Sequence, residues 1–86
     1  MITIKRLVLD ILKPHHPDVI DFAGAIASQG KDYLVKLRVM EMDDNTQTLE
    51  VTIEASDIQL DGIVNAINEL GGSLHSIDGV DVVSAG

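Results

Sequence analysis

The stretch 32-DYLVKLRVMEMDDNTQTLEVTIEA-55 decides the fold. In its first half Tyr33, Val35, Leu37 and Val39 share one parity, while Leu34, Lys36, Arg38, Met40 and Met42 share the other. In its second half Leu49, Val51, Ile53 and Ala55 alternate with Thr48, Glu50, Thr52 and Glu54. A period of two puts successive side chains on opposite faces of a strand. Between the halves lies Asp43-Asp44-Asn45-Thr46, whose short polar side chains bond their own backbone and favour a tight reversal. The stretch therefore predicts a hairpin of strands over Asp32–Asp43 and Gln47–Ala55, with one apolar face.

A helix flanks the hairpin on each side. Before it, Val19, Phe22, Ala23, Ile26 and Ala27 recur at helical spacing. Pro17 is placed as the first helical residue, where its missing N–H costs nothing, and Gly30 as the stop. After it, Leu60, Ile63, Val64, Ile67 and Leu70 form a second stripe, ended by Gly71-Gly72. Ser56-Asp57-Ile58-Gln59 has the spacing of a capping box, with Gln59 as an alternative start. Outermost come two more strands. Ile2–Leu12 alternates Leu7, Leu9 and Ile11 against Arg6, Val8, Asp10 and Leu12, and Pro14 stops it. Leu74–Ile77 closes the chain, with a continuation through Asp78-Gly79 into Val80–Val83 and a loose end over Ser84-Ala85-Gly86.

The resulting order is β-α-β-β-α-β. Right-handed crossovers then place both helices on one face of an antiparallel sheet of order 4-1-3-2, an α+β, ferredoxin-like sandwich. Leu7, Leu9, Ile11, Val35, Leu37, Val39, Leu49, Val51 and Ile53 are expected to face the helices. The chain of 86 residues suffices for one domain, 1–86, with no linker or low-complexity segment.

Composition narrows the function. Hydrophobic residues make up 45% and aromatics 2%, so the core must be aliphatic. Fourteen acidic against six basic residues give a net charge of −8. Nucleic-acid binding needs a basic footprint and stacking aromatics, and both are missing. An anionic membrane surface is disfavoured for the same reason, and no stretch approaches the ~20 apolar residues of a membrane span. There are no cysteines, which removes disulfides, thiolate metal sites and cysteine nucleophiles together. The N-terminal residues lack the apolar run of a secretory leader. A cytoplasmic protein is the expectation.

The topology brings chemistry-bearing residues to one sheet edge. His15 and His16 follow the first strand, Asp43 and Asp44 follow the second, and His75 lies at the start of the fourth, with Asp18 at the first helix. Imidazoles and carboxylates together are candidate ligands for a divalent cation. Asp43, Asp44 and Asn45 suit calcium or magnesium, the histidines zinc or nickel. The run lacks the glycine and distal glutamate of an EF-hand. An anion at the helix-one N-terminus ranks lower, because Pro17 removes a donor and Asp18 repels. No serine has nucleophile-elbow glycines, and no phosphate-binding glycine loop is present.

The open sheet face carries Arg6, Asp10, Lys36, Arg38, Glu50 and Glu54, but also Val8, Leu12, Leu34, Met40 and Met42. Apolar groups among charges suit a protein interface. Strands two and four are edges with unpaired N–H and C=O groups. A non-enzymatic, self-assembling domain, with small-ligand sensing as a use for the assembly, is therefore the first functional expectation. A divalent-cation-binding module is the second, and an enzyme of unknown reaction the third.

The segments LVLDILKPH (Leu7–His15) and ELGGSLHSIDGV (Glu69–Val80) resemble the signatures of a small archaeal family of unknown function. The resemblance spans nearly the whole chain. It implies a ferredoxin-like fold, a cytoplasmic setting and ring-like homo-oligomers, and no established activity. In that family the position of His16 is usually acidic and the second helix starts with more acid, so His16, Gln59 and Gly62 depart from the pattern. Copper chaperones of the same fold need a CxxC, and RNA-recognition domains need sheet aromatics that Tyr33 alone does not supply.

Overall fold

The computed structural model describes residues 1–84. Its elements are β1 (Ile2–Pro14), α1 (Val19–Ala27), β2 (Leu34–Met42), β3 (Thr46–Glu54), α2 (Leu60–Glu69) and β4 (Ser73–Ser84). The sheet runs β2-β3-β1-β4, with every neighbouring pair antiparallel. This is the order expected, read from its other end. Of the expected loose end, Ser84 pairs with Ile2, and Ala85 and Gly86 lie outside the described residues.

Leu7, Leu9, Ile11, Leu49, Val51 and Ile53 are buried on one sheet face. They meet Phe22 and Ile26 of α1 and Ile63 and Ile67 of α2 in one core. Val35 and Leu37 are partly buried against it. Val39 does not follow: it is 41% exposed, because it lies toward the outer end of an edge strand. A β-bulge follows at once. Val39 pairs with Leu49 but Glu41 with Thr48, leaving Met40 as the extra residue. A one-residue shift exchanges the faces of all that follows. Met42 therefore pairs with Gln47 on the helix side, not on the open face where strict alternation put it.

The helix boundaries differ from expectation for local reasons. Asp18, not Pro17, begins α1. Its carboxylate accepts the Asp21 N–H at 2.8 Å, satisfying a donor that has no partner inside the helix. The helix ends at Ser28, before Gly30. Gly30 serves packing instead, since a Cβ there would come within 2.4 Å of the Tyr33 ring. The capping box does not form. Ser56 donates its N–H and hydroxyl to Asp32, and Gln59 begins α2 without a side-chain cap. The glycine stop of α2 is as expected. Gly71 has φ +83°, its N–H bonds to Asn68 O, and the Gly72 N–H bonds to Ile67 O, a Schellman motif.

β1 is longer than expected by two residues, and β4 is continuous across Asp78-Gly79. Three irregularities in their pairing leave Lys5, Asp78 and His75 as extra residues. The one at Lys5 lets Ile4, of opposite parity to Leu7, still pack on the core. Beyond Arg6 the N-terminal part of β1 pairs only with β4. This two-stranded extension contributes to the 48 Å long axis.

Candidate functional site

The β1–α1 loop, the β2–β3 turn and the first residues of β4 gather at one end of the sheet. At its centre is Lys13, which is 1% exposed. It continues the inward parity of Leu7, Leu9 and Ile11. The loop after it carries Pro14 and Pro17, which have no N–H, so its carbonyls outnumber its donors. The Lys13 ammonium supplies the missing donors, to Pro14 O at 2.7 Å, Pro17 O and His15 O. It also lies 5.7 Å from the Phe22 ring centroid. Burial lowers its pKa, and the Asp18 carboxylate works in the opposite direction. Gln47, the cross-strand partner of Lys13, is buried too, and its Oε1 has no hydrogen-bond partner.

That loop presents His15 to the β2–β3 turn. The His15 Nε2–H donates to the Asp43 carbonyl at 2.7 Å, since a carbonyl can only accept. The Asp43 carboxylate turns the other way, into its own turn. Its Oδ1 accepts the Asn45 N–H at 3.0 Å, the Thr46 N–H at 2.8 Å and the Thr46 hydroxyl at 3.0 Å. These bonds hold its carboxyl below the ordinary aspartate range. Asp43 is therefore engaged in shaping the hairpin reversal, while Asp44 and Asn45 are exposed around an open depression. His16 is exposed.

His75 goes elsewhere. The extra residue in β4 sets it over the open sheet face, where Nδ1 is 3.1 Å from Asp10 Oδ2. Asp10 stands directly across from Glu50, and Arg38 stands across from Glu50 on the other side. The row thus reads Arg38, Glu50, Asp10, His75, two acids bracketed by groups able to pair with them. His75 is exposed and not half-buried as a strand position suggests. The five candidate ligands His15, His16, Asp43, Asp44 and His75 accordingly fall into separate arrangements. Among the described residues no group of three or more His, Asp or Glu side chains lies together in a form suited to one metal ion.

Sequence reasoning passed over Lys13 and Gln47, although alternation carries a signal for both. Lys13 shares the parity of Ile11, and Gln47 that of Leu49.

The open face is the larger polar surface. Lys36 pairs with Glu54 at 2.8 Å, which holds the Glu54 carboxyl below its usual range, and Arg6 lies 3.8 Å from Asp81. Apolar side chains stand exposed along both edge strands: Leu34, Val39, Met40 and Met42 on β2, and Ile77, Val80, Val82 and Val83 on β4. Among the described residues no helix is long and apolar enough to cross a membrane.

Fold and surface together define a small ferredoxin-like α+β domain with one uncovered sheet face. The comparison with known sequences goes further. Residues 5–85 match the DUF211 family, described as uncharacterized ArCR. An uncharacterized protein of Methanocaldococcus jannaschii is 44% identical over 77 residues, covering 90% of this chain and 79% of the relative. The chain belongs to the DUF211 family, small archaeal domains of unknown function.

Proposed function

We propose that this chain is a non-enzymatic, self-assembling domain whose exposed strand edges bind further copies of itself. The observation that carries this reading is the apolar character of both edges. Leu34, Met40 and Met42 on β2, and Ile77, Val80, Val82 and Val83 on β4, are each between 46% and 62% exposed. Single exposed apolar residues are ordinary, but rows of them beside unpaired backbone N–H and C=O groups favour association. The polar groups that lie close together support a non-enzymatic role. Asp43 shapes a turn, Asp18 caps a helix, and the Ser28, Ser56 and Ser76 hydroxyls are bonded to Gly24 O, Asp32 and Asp78. Sedimentation equilibrium over a micromolar concentration series tests the reading. A species heavier than the 9.3 kDa chain is expected. A monomer throughout the series overturns it.

A further inference from the structure

We infer that the depression on the open sheet face between Asp10, Leu12, Thr48 and His75 binds a small primary ammonium compound. The site lies within one copy, so it goes beyond self-assembly and does not depend on it.

Shape supplies the first argument. A regular sheet face is close to flat. Here the pairing of β1 with β4 shifts between Asp10 and Ile11, and His75 is the extra residue. Such an irregularity re-aims a side chain, and the imidazole becomes one wall of a depression of about 320 Å³. Asp10 forms a second wall, and Thr48, directly across from Leu12, a third. Leu12 is 41% exposed and supplies the apolar surface. The volume lies at the lower end of the range for small-molecule sites.

Hydrogen bonding supplies the second. His75 Nδ1 lies 3.1 Å from Asp10 Oδ2. An ionised carboxylate only accepts, so a neutral imidazole carries its proton on Nδ1 and keeps Nε2 as an acceptor. The depression then offers three acceptors: His75 Nε2, the second Asp10 oxygen Oδ1 and the Thr48 hydroxyl. A primary ammonium brings three N–H donors.

Charge supplies the third. Glu50 stands across from Asp10, and Glu41 stands across from Thr48, where the β2 bulge places it on the open face. Arg38 stands across from Glu50. With the imidazole neutral, the carboxylates of Asp10, Glu41 and Glu50 surround the depression against one fixed cation, on a chain of net charge −8. An anion is repelled there and a cation drawn in. A metal ion is the poorer match, since among the described residues no three His, Asp or Glu side chains gather on one point. An ammonium needs one carboxylate and neutral acceptors, and its carbon chain has Leu12 to lie on.

Titration of the isotope-labelled chain with n-butylammonium chloride at about pH 8, where an ordinary imidazole is neutral, tests this by NMR. Saturable shifts centred on Asp10, Leu12, Thr48 and His75 are expected, with a dissociation constant of about 1 mM or tighter. Asp10→Asn is expected to weaken binding about tenfold or more, because it takes the charge out of the hydrogen bond. His75→Ala, at an exposed bulge, is expected to weaken it several-fold and answers for the site if the first variant folds poorly. Asp81→Asn, a carboxylate elsewhere on the same face, is expected to leave binding unchanged. Sodium butyrate, of similar shape and opposite charge, is expected to give no saturable shifts. Shifts that grow without saturating, equal binding of butyrate, or wild-type affinity in His75→Ala and in a folded Asp10→Asn each overturn the site. None of these outcomes bears on the oligomeric state, so self-assembly stands or falls separately.

Discussion

Lys13 is the residue on which this end of the molecule turns. Its ammonium is buried where it donates to the carbonyls of a proline-rich loop that is short of N–H donors. Lys13→Met keeps most of the aliphatic stem against Phe22 but removes the donor to those carbonyls. An unsatisfied buried polar group costs about 1–3 kcal/mol, so a loss of about 2–3 kcal/mol is expected. It should register as a lower urea midpoint at unchanged slope. Asp43 makes a different contribution, one that depends on pH. Its folded pKa lies below the ordinary 3.8, so on acidification the unfolded chain takes up this proton first. The stabilisation is complete above 3.8 and is lost as pH falls through the folded value. Asp43→Asn retains a carbonyl for the turn but no titrating group. Its melting temperature should be lower than wild type near neutrality, with a shallower fall between about pH 5 and pH 2. A parallel fall in both proteins would remove Asp43 from the acid response.

Among the elements, α2 shows how a boundary is enforced. Gly71 takes a left-handed conformation so that its own N–H and that of Gly72 can reach back to the helix carbonyls. A Cβ at Gly71 would meet the Pro14 ring at 3.6 Å, an ordinary contact. The cost of Gly71→Ala is therefore conformational, about 1–2 kcal/mol, and is expected in thermal unfolding with no loss of helical content below the transition. The strands show the opposite case, in which alternation does not predict where it breaks. Parity carried Leu7, Leu9, Ile11, Leu49, Val51 and Ile53 to the core without error. It misplaced Met42, because the extra residue at Met40 has no signature in that run of mixed polar and apolar side chains. Lys5, His75 and Asp78 are comparable. Whether a strand admits an extra residue is settled by its partner strand, and that information is not local.

The whole molecule has two helices for a four-stranded sheet, and its β1–β4 pair reaches past the part that β3 covers. A domain of this size buries only about 60–65% of its unfolded surface. Contacts between copies, as proposed above, would add to a modest intrinsic stability. If the edges join copies, unfolding becomes coupled to dissociation, and the melting temperature should rise with protein concentration. Calorimetric scans across a hundredfold concentration range check this, and one unchanging transition would separate stability from assembly.

The order of periodicities by itself determined the element sequence, the antiparallel sheet order and the aliphatic core, because burial of one strand face and one helix stripe leaves few ways to pack six such segments. It also held the signal for Lys13 and Gln47 facing inward. The tertiary structure alone decided that His15 bonds the Asp43 carbonyl while His75 pairs with Asp10. It likewise decided which edge residues remain exposed. Those outcomes depend on bulges, loop carbonyls and the reach of two short helices across a wider sheet, all of which are set by distances between segments far apart in the chain.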